Sequence, residues 1–184
     1  MFGQDLLEIN ENLGLTDSLP NEKEIRIYKG FGITNYTGVF RMFQDTLGKW
    51  KAESIEHYCE VLNTAKLKIK RHELKPNDGI DNIWWQILKT NIQDLPNMSS
   101  IEWKLKKNPE VVEDMGVKVL SWQKTNILDG ESYVVQFRWG NDIKKITYSN
   151  PESYLKIYPD VDELIYFNEL LNLVKTEFGI WKSN

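Results

Sequence analysis

The chain has 184 residues, of which 41% are hydrophobic and 12% aromatic, and its formal net charge is −4 at pH 7. This length and apolar content suit one domain with a packed core and argue against wholesale disorder. The mildly acidic charge lacks the basic face that nucleic-acid binding requires, and no apolar run approaches the ~18 residues of a membrane span.

We expect a single globular domain over residues 1–184, with residues 1–23 as a peripheral N-terminal arm or short helix. The apolar positions of this segment fit either form: Leu6, Leu7, Ile9 and Leu13. Residues 16–23 include serine, proline and asparagine, which is the composition of a loop.

The next part of the chain has the periodicity of β-strands. Residues 24–28 alternate between apolar and polar side chains, and residues 39–44 and 50–61 are also strand-like. Asp45–Lys49 contains Gly48 and predicts the turn of a hairpin. Residues 30–38 carry three glycines, at positions 30, 32 and 38, and predict a loop.

A basic strand and then a helix follow. Apolar residues alternate with lysines over residues 65–70, which predicts a solvated edge strand that lysine protects from further pairing. Between residues 78 and 95 the apolar spacing changes to i, i+3, i+4, i+7, the pattern of an amphipathic helix. Asp78 or Asp81 is the expected N-cap, and Pro96 the stop.

Beyond this helix the strand pattern returns. Residues 101–105 alternate and predict a strand, the acidic residues 108–116 predict a loop, and residues 117–124 predict another strand. Asp129 and Gly130 predict a turn. The strongest hairpin signal lies in two alternating runs around Gly140-Asn141-Asp142, at residues 133–139 and 143–148.

The C-terminal part predicts two helices. Asn150 followed by Pro151 is a helix start, since proline is favoured at the first helical position. Asp160 and Glu163 have the spacing of a capping box for a terminal helix, which Gly179 ends.

Strands therefore cluster on both sides of a central helix, without regular alternation of strand and helix. We predict an α+β fold with an antiparallel, meander-like β-sheet and two main helices packed on one face.

Candidate catalytic groups are few. Cys59 is the one cysteine, and it lies two residues from His57, so on a strand both side chains would face the same side. At that spacing they are about 6–7 Å apart, which is far for a hydrogen bond. We interpret Cys59 as structural and His57 as a surface residue. No metal-ligand or phosphate-binding spacing is present, so we predict no catalytic residue, metal or cofactor.

Aromatic side chains mark the candidate binding site. It comprises the glycine-containing loop and its surroundings: Phe31, Asn35, Tyr36, Phe40 and Trp50. The alternative interpretation is that this loop only supplies tight turns.

The chain has seven tryptophans. Four fall on the apolar faces of predicted elements, where we expect them in the core: Trp84, Trp85, Trp103 and Trp139. Three lie near turns, edges or the C-terminus, where they would suit a peptide, glycan or protein partner: Trp50, Trp122 and Trp181.

Two stretches of the sequence carry a family resemblance. The first runs from Ile33-Thr34-Asn35-Tyr36 to Gly48-Lys49-Trp50, and the second from Leu128-Asp129-Gly130 through Asn150-Pro151 to Glu163-Leu164. Together they resemble uncharacterised exported proteins of Bacteroidetes-type bacteria over about half the chain. The resemblance implies a periplasmic or extracellular setting and no particular catalytic residue. Phe2-Gly3-Gln4 before Asp5 also looks like the end of an export signal, whereas the alternative is an ordinary cytoplasmic start.

These observations favour a non-enzymatic, exported binding or accessory domain with a protein partner. The alternative is a cytoplasmic immunity or adaptor-type protein that acts through an acidic surface. A third hypothesis is an unrecognised hydrolase that uses Cys59 and His57.

Overall fold

A computed structural model describes residues 6–31, 34–61, 64–127 and 130–181 of the chain. The N-terminal residues 1–5 and the predicted turn residue Asp129 lie outside these ranges. The α-helices are α1 (Leu6–Leu13), α2 (Ile80–Lys89), α3 (Pro151–Ile157) and α4 (Asp162–Phe178), and a 3₁₀ helix spans Met98–Leu105. The strands are β1 (Lys23–Phe31), β2 (Tyr36–Gln44), β3 (Trp50–Tyr58), β4 (Lys68–Glu73), β5 (Lys107–Asp114), β6 (Val117–Gln123), β7 (Glu131–Trp139) and β8 (Asp142–Ser149).

Six of these strands form the main sheet, in the order β4-β3-β2-β1-β7-β8, and every neighbouring pair is antiparallel. Strands β1 to β4 are a meander, and the β7–β8 hairpin adds to the other edge of β1. Strands β5 and β6 form a separate two-stranded sheet. The predicted α+β class with an antiparallel sheet is therefore confirmed.

One face of the main sheet packs against α2, α3 and α4. Ile27 of β1, Phe40 of β2 and Val135 of β7 lie on this helix face and are fully buried. Phe137 lies two residues beyond Val135, so both side chains point to the helix face. There the Phe137 ring stacks on Trp84 of α2 at 5.5 Å between ring centroids. The predicted packing of the two main helices on one face is confirmed.

The opposite face of the sheet is covered by α1. Ile9 and Leu13 of this helix are buried against the alternate residues of the strands: Tyr28, Val39, Ile55 and Val134. Polar bonds hold the same helix in place, since the Tyr28 hydroxyl donates to Asn10 Oδ1 at 2.7 Å. The N-terminal helix therefore covers the central strands on the second side of the sheet.

A chain of buried charges lies on this α1 face. Glu24 and Arg26 are both fully buried, and Glu24 Oε1 accepts from Arg26 Nε at 2.7 Å and from Arg41 Nε at 2.8 Å. Burial raises the pKa of Glu24, but the hydrogen bond from Arg41 and the charges of both guanidinium groups outweigh it and hold this pKa below its usual value. Arg26 Nη1 also donates to the carbonyl of Thr16, which fastens the loop after α1.

Each outer edge of the main sheet is protected in its own way. On β8, the backbone N–H groups of Thr147 and Ser149 donate to Asn97 Oδ1 and Met98 Sδ of the 3₁₀ region. At the other edge β4 carries exposed basic residues, as the sequence predicts. Both devices prevent another strand from adding to the sheet.

Two predicted elements between α2 and β7 are wrong. Residues 101–105 are helical rather than extended: Ile101 and Leu105 are buried four residues apart, while Trp103 between them points outward. An alternation of five residues does not distinguish a strand from one side of a helical turn. Residues 108–116 contain most of β5 rather than a loop, because their acidic side chains are exposed while the strand pairs with β6.

The predicted caps are also partly wrong. The N-caps of α2 and α4 are Gly79 and Val161, without a side-chain cap, so neither an aspartate cap nor a capping box forms. Asn150 and Pro151 do start α3, and Gly179 ends α4 with a φ of 63°. Glycine is favoured there because the left-handed conformation strains residues that have a Cβ.

We predict that Glu24→Gln destabilises the protein by about 3–5 kcal/mol, because it leaves the buried Arg26 guanidinium without its counter-charge. The free energy of unfolding in urea measures this loss. The matched control is Glu102→Gln, which removes a surface ion pair with Lys124 whose side chains are 52% and 37% exposed. We expect that variant to change stability by less than about 1 kcal/mol. Equal losses for the two variants would contradict the role of Glu24.

Candidate functional site

The β5–β6 hairpin, residues 107–123, is the most unusual surface of the protein, and we call it the ribbon. Every one of its residues is exposed. Among the described strands, β5 and β6 pair only with each other. A single two-stranded hairpin is only marginally stable in water, so an exposed one requires another reason to be retained.

The ribbon carries apolar side chains on both faces. Its register places Val111 opposite Leu120 on one face and Val112 opposite Val119 on the other. The exposed fractions are 68% for Val111, 37% for Val112, 62% for Val117, 40% for Val119, 57% for Leu120 and 44% for Trp122. Several exposed apolar residues on one element mark an interaction site more often than single exposed residues do.

The tip of the ribbon is a two-residue turn with an uncommon residue. Met115 and Gly116 have φ angles of 49° and 79°, and Asp114 pairs with Val117 on either side of them. Turns with two positive φ angles favour Asn-Gly or Asp-Gly, because asparagine and aspartate tolerate the left-handed region. Met115 is instead apolar and 99% exposed. Turn chemistry does not explain a methionine at this position.

The base of the ribbon is fixed to the body of the protein. Lys107 Nζ donates to the carbonyl of Ile157 at 2.6 Å and lies 4.7 Å from the centre of the Tyr158 ring. Directly after β6, Lys124 pairs with Glu102 of the 3₁₀ helix at 3.0 Å. The ribbon therefore projects from a defined point.

A cavity of about 440 Å³ lies beside this base, between the 3₁₀ helix, β8 and α3. Two of its polar side chains are paired within the chain: Asn150 Nδ2 donates to the carbonyl of Ile127, and the Tyr154 hydroxyl donates to the carbonyl of Thr125.

The residues proposed from sequence as a binding site do not form one surface. Asn35 bonds to the backbone of Cys59 through both its side chain and its carbonyl, and Tyr36 is half-buried with its ring 5.1 Å from that of Tyr58. Phe40 is fully buried against Phe178, so it is a core residue. Trp50 is half-buried, 5.1 Å from the Trp84 ring. Phe31 ends β1, but its side chain lies outside the described part of the structure.

Most of the glycine-containing segment is strand rather than loop. Residues 30–31 end β1, and residues 36–38 begin β2. A Cβ on Gly38 would lie 2.8 Å from both Trp181 Nε1 and the Tyr36 hydroxyl. Glycine at this position therefore makes room for the Trp181 indole on the sheet.

Two of the tryptophans expected in the core are exposed. Trp84 is buried, as predicted, but Trp85 is 57% exposed and Trp103 is 68% exposed. Trp85 lies beside Trp84 on α2, and its ring meets Trp139 edge-on at 6.0 Å. Adjacent helical residues point in different directions, so only one of the two faces the sheet.

A partly buried ion pair lies beside Trp181. Lys29, which is 4% exposed, bonds to Glu131 at 2.8 Å, and the Tyr133 hydroxyl donates to the same carboxylate. Burial and the neighbouring Glu131 raise the pKa of Tyr133 above its usual value, which favours the protonated phenol. These contacts join β1 to β7.

The Cys59–His57 pair receives no support from the geometry. His57 is 1% exposed rather than on the surface, because α1 covers it. Its Nε2 lies 3.2 Å from Asn12 Nδ2, and its Nδ1 is buried without a partner in the described part of the chain. Cys59 is therefore not bonded to either ring nitrogen.

The described residues contain no group of three or more histidine, cysteine, aspartate or glutamate side chains placed to hold a metal ion. Within the same ranges, none of the helices has the length and apolar character needed to cross a membrane. No protein-family model, curated protein or solved structure matches this chain.

Sequence reasoning missed the ribbon as a site, although the signal was present. Two runs of valines flank Met115-Gly116, and a glycine in the second position of a two-residue connection is a hairpin signal. The acidic residues Glu110, Glu113 and Asp114 obscured this pattern.

We predict that His57 makes the protein less stable in mild acid. Burial lowers its pKa below the usual value near 6.5, although the charge of Glu8 on α1 partly opposes this shift. The folded state therefore favours neutral histidine, and stability is lost as pH falls below the pKa of the unfolded chain. In urea unfolding, wild type should lose more stability between pH 7.5 and 5.5 than His57→Gln does. Parallel losses in both proteins would contradict this prediction.

Proposed function

We propose that this chain is a protein-binding accessory domain and that the ribbon is its binding element. The observation that carries the proposal is that every residue from 107 to 123 is exposed, with valine, leucine, methionine and tryptophan among them. Methionine and aromatic residues are enriched at protein interfaces relative to the rest of the surface. The ribbon is fixed to the body of the protein at its base, and its other residues are exposed, so it is suited to bind another polypeptide.

The charges of the ribbon favour a protein partner over a lipid surface. Glu113 and Asp114 lie next to the apolar tip, where insertion into lipid would require them to lose their hydration. Within the ribbon, Glu113 faces Lys118 across the two strands, which gives the mixed charge that is typical of a protein interface.

An exported setting is part of this proposal and rests on the sequence resemblance. Fractionation of native cells into cytoplasm, periplasm and membrane, followed by detection with a specific antibody, tests it. Recovery in the periplasm or the medium is the expected result, and a cytoplasmic pool would favour the immunity or adaptor alternative.

A photo-crosslinking amino acid at position 115 tests the binding element in cells. We expect a discrete product of higher mass, because the side chain at the tip points into the interface. The matched control is position 47, where Leu47 is 79% exposed at the tip of the β2–β3 hairpin. The proposal fails if both positions give the same products, or if neither gives any.

The Met115→Asn variant distinguishes the contribution of Met115 to the stability of the turn from its contribution to binding. We expect this substitution to stabilise the turn by roughly 1 kcal/mol, because asparagine tolerates a positive φ better than methionine does. Hydrogen exchange of the ribbon amides should then slow, while the yield of a product crosslinked from position 120 should fall. A crosslinking yield that rises with the stability of the turn would mean that Met115 makes no contact with the partner.

A further inference from the structure

The two outer edges of the ribbon differ in their capacity to pair with another strand. Strand β5 contains Pro109, which has no N–H to donate, and its pairing is irregular between Lys107 and Glu110. It also carries acidic residues at 110, 113 and 114. This edge is therefore protected.

The edge of β6 has none of these protections. Its seven residues, Val117–Gln123, include no proline and no acidic side chain, and Lys118 is its single charge. Val117, Val119 and Trp122 have high β-propensity. Of the two outer edges of the ribbon, β6 is therefore the less protected against pairing with a further strand.

Strand β6 can pair with a second copy of itself in the antiparallel direction without opposing like charges. A register centred on Leu120 pairs the whole strand with a second copy: Val117 with Gln123, Lys118 with Trp122, Val119 with Ser121, and Leu120 with Leu120. The lysines do not oppose each other, since each lies against a tryptophan ring, a favourable cation–π arrangement. Moving the centre to Ser121 would instead place Lys118 opposite Lys124.

The rows of side chains across the resulting four strands are complementary as well. Val111 pairs with Leu120 within each ribbon, so the central row consists of aliphatic side chains from both copies. In an outermost row, Val117 of one copy lies opposite Gln123 of the other. Val117 pairs with Asp114 within its own ribbon, and Gln123 pairs with Lys107 within its own, so the row runs Asp114, Val117, Gln123, Lys107. Each such row has an acidic residue at one end and a basic residue at the other, and no like charges meet.

From this complementarity we infer that the partner of the ribbon is a second copy of this chain, joined by antiparallel β6–β6 pairing about a two-fold axis at Leu120. This inference rests on the proposed function and identifies the protein that binds the ribbon. An isologous interface of this kind closes as a dimer, because the same strand is used on both sides.

A charge-swap experiment tests whether the two-fold axis of the dimer passes beside Leu120. Leu120→Lys and Leu120→Glu each place like charges opposite one another across the axis, so sedimentation velocity should find each variant at least tenfold weaker in dimerisation than wild type. An equimolar mixture should recover the dimer, because opposite charges then face each other. Wild type that stays monomeric over the concentration series, or a mixture that fails to recover, would overturn the inference.

Cysteine crosslinking tests which strand lies at the centre. In a Cys59→Ser background, Leu120→Cys should form an intermolecular disulfide under mild oxidation, since directly opposed residues of antiparallel strands are about 4.5–5.5 Å apart at Cα. Val111→Cys is the matched control, because Val111 lies in the same row but on the outer strand. Stronger crosslinking from position 111 would overturn the β6 assignment.

The failure of this inference differs from failure of the proposed function. If the purified protein is monomeric while position 115 captures a different protein in cells, the self-pairing is wrong and the binding role stands. If the monomer instead co-sediments with phosphatidylglycerol or phosphatidylcholine vesicles and captures no protein, both proposals are wrong.

Discussion

The carboxylate of Glu24 is shielded from water, and the α1 face of the sheet is organised around it. Arg26 and Arg41 both donate to Glu24 Oε1, and Arg26 reaches on to the backbone of the loop after α1. A charge at the centre of a sheet is stabilised by opposite charges and hydrogen bonds, which Glu24 and both arginines supply to one another, although Arg26 Nη2 has no partner among the described residues. The position of α1, and with it the closure of the second face, therefore depends on this polar cluster as well as on Ile9 and Leu13.

The ribbon contrasts with this closed body. In the main sheet one edge strand is covered by side-chain acceptors and the other carries several basic residues, whereas β6 has a single lysine and no described element beyond β5 pairs with it. Natural proteins usually protect the edge strands of their sheets, because an unprotected edge can pair with another chain. The same chain thus protects the edges of its larger sheet while exposing an edge of its smaller one.

Much of the fold was predictable because it depends on local chemistry. Gly48 and Gly140 have positive φ angles in the turns where the sequence placed them, and Gly179 ends α4. The covering of the α1 face was not predictable, since an alternating Glu24 and Arg26 has the pattern of a solvated face. The 3₁₀ helix was missed because five alternating residues fit two kinds of structure. The ribbon is a candidate site because no described strand other than its own two pairs with it. That is a tertiary property, which the periodicity of the local sequence does not reveal.

The position of Met115 also has a chemical consequence. A thioether at the tip of the ribbon, 99% exposed, is open to oxidants, whereas the sulfur of Met98 is held against the backbone of β8. Oxidation to the sulfoxide would convert an apolar tip into a polar, chiral one without altering the core. Methionine sulfoxide reductases reverse this change. The surface that we assign to binding would therefore respond to oxidative stress, while the fold that supports it would not.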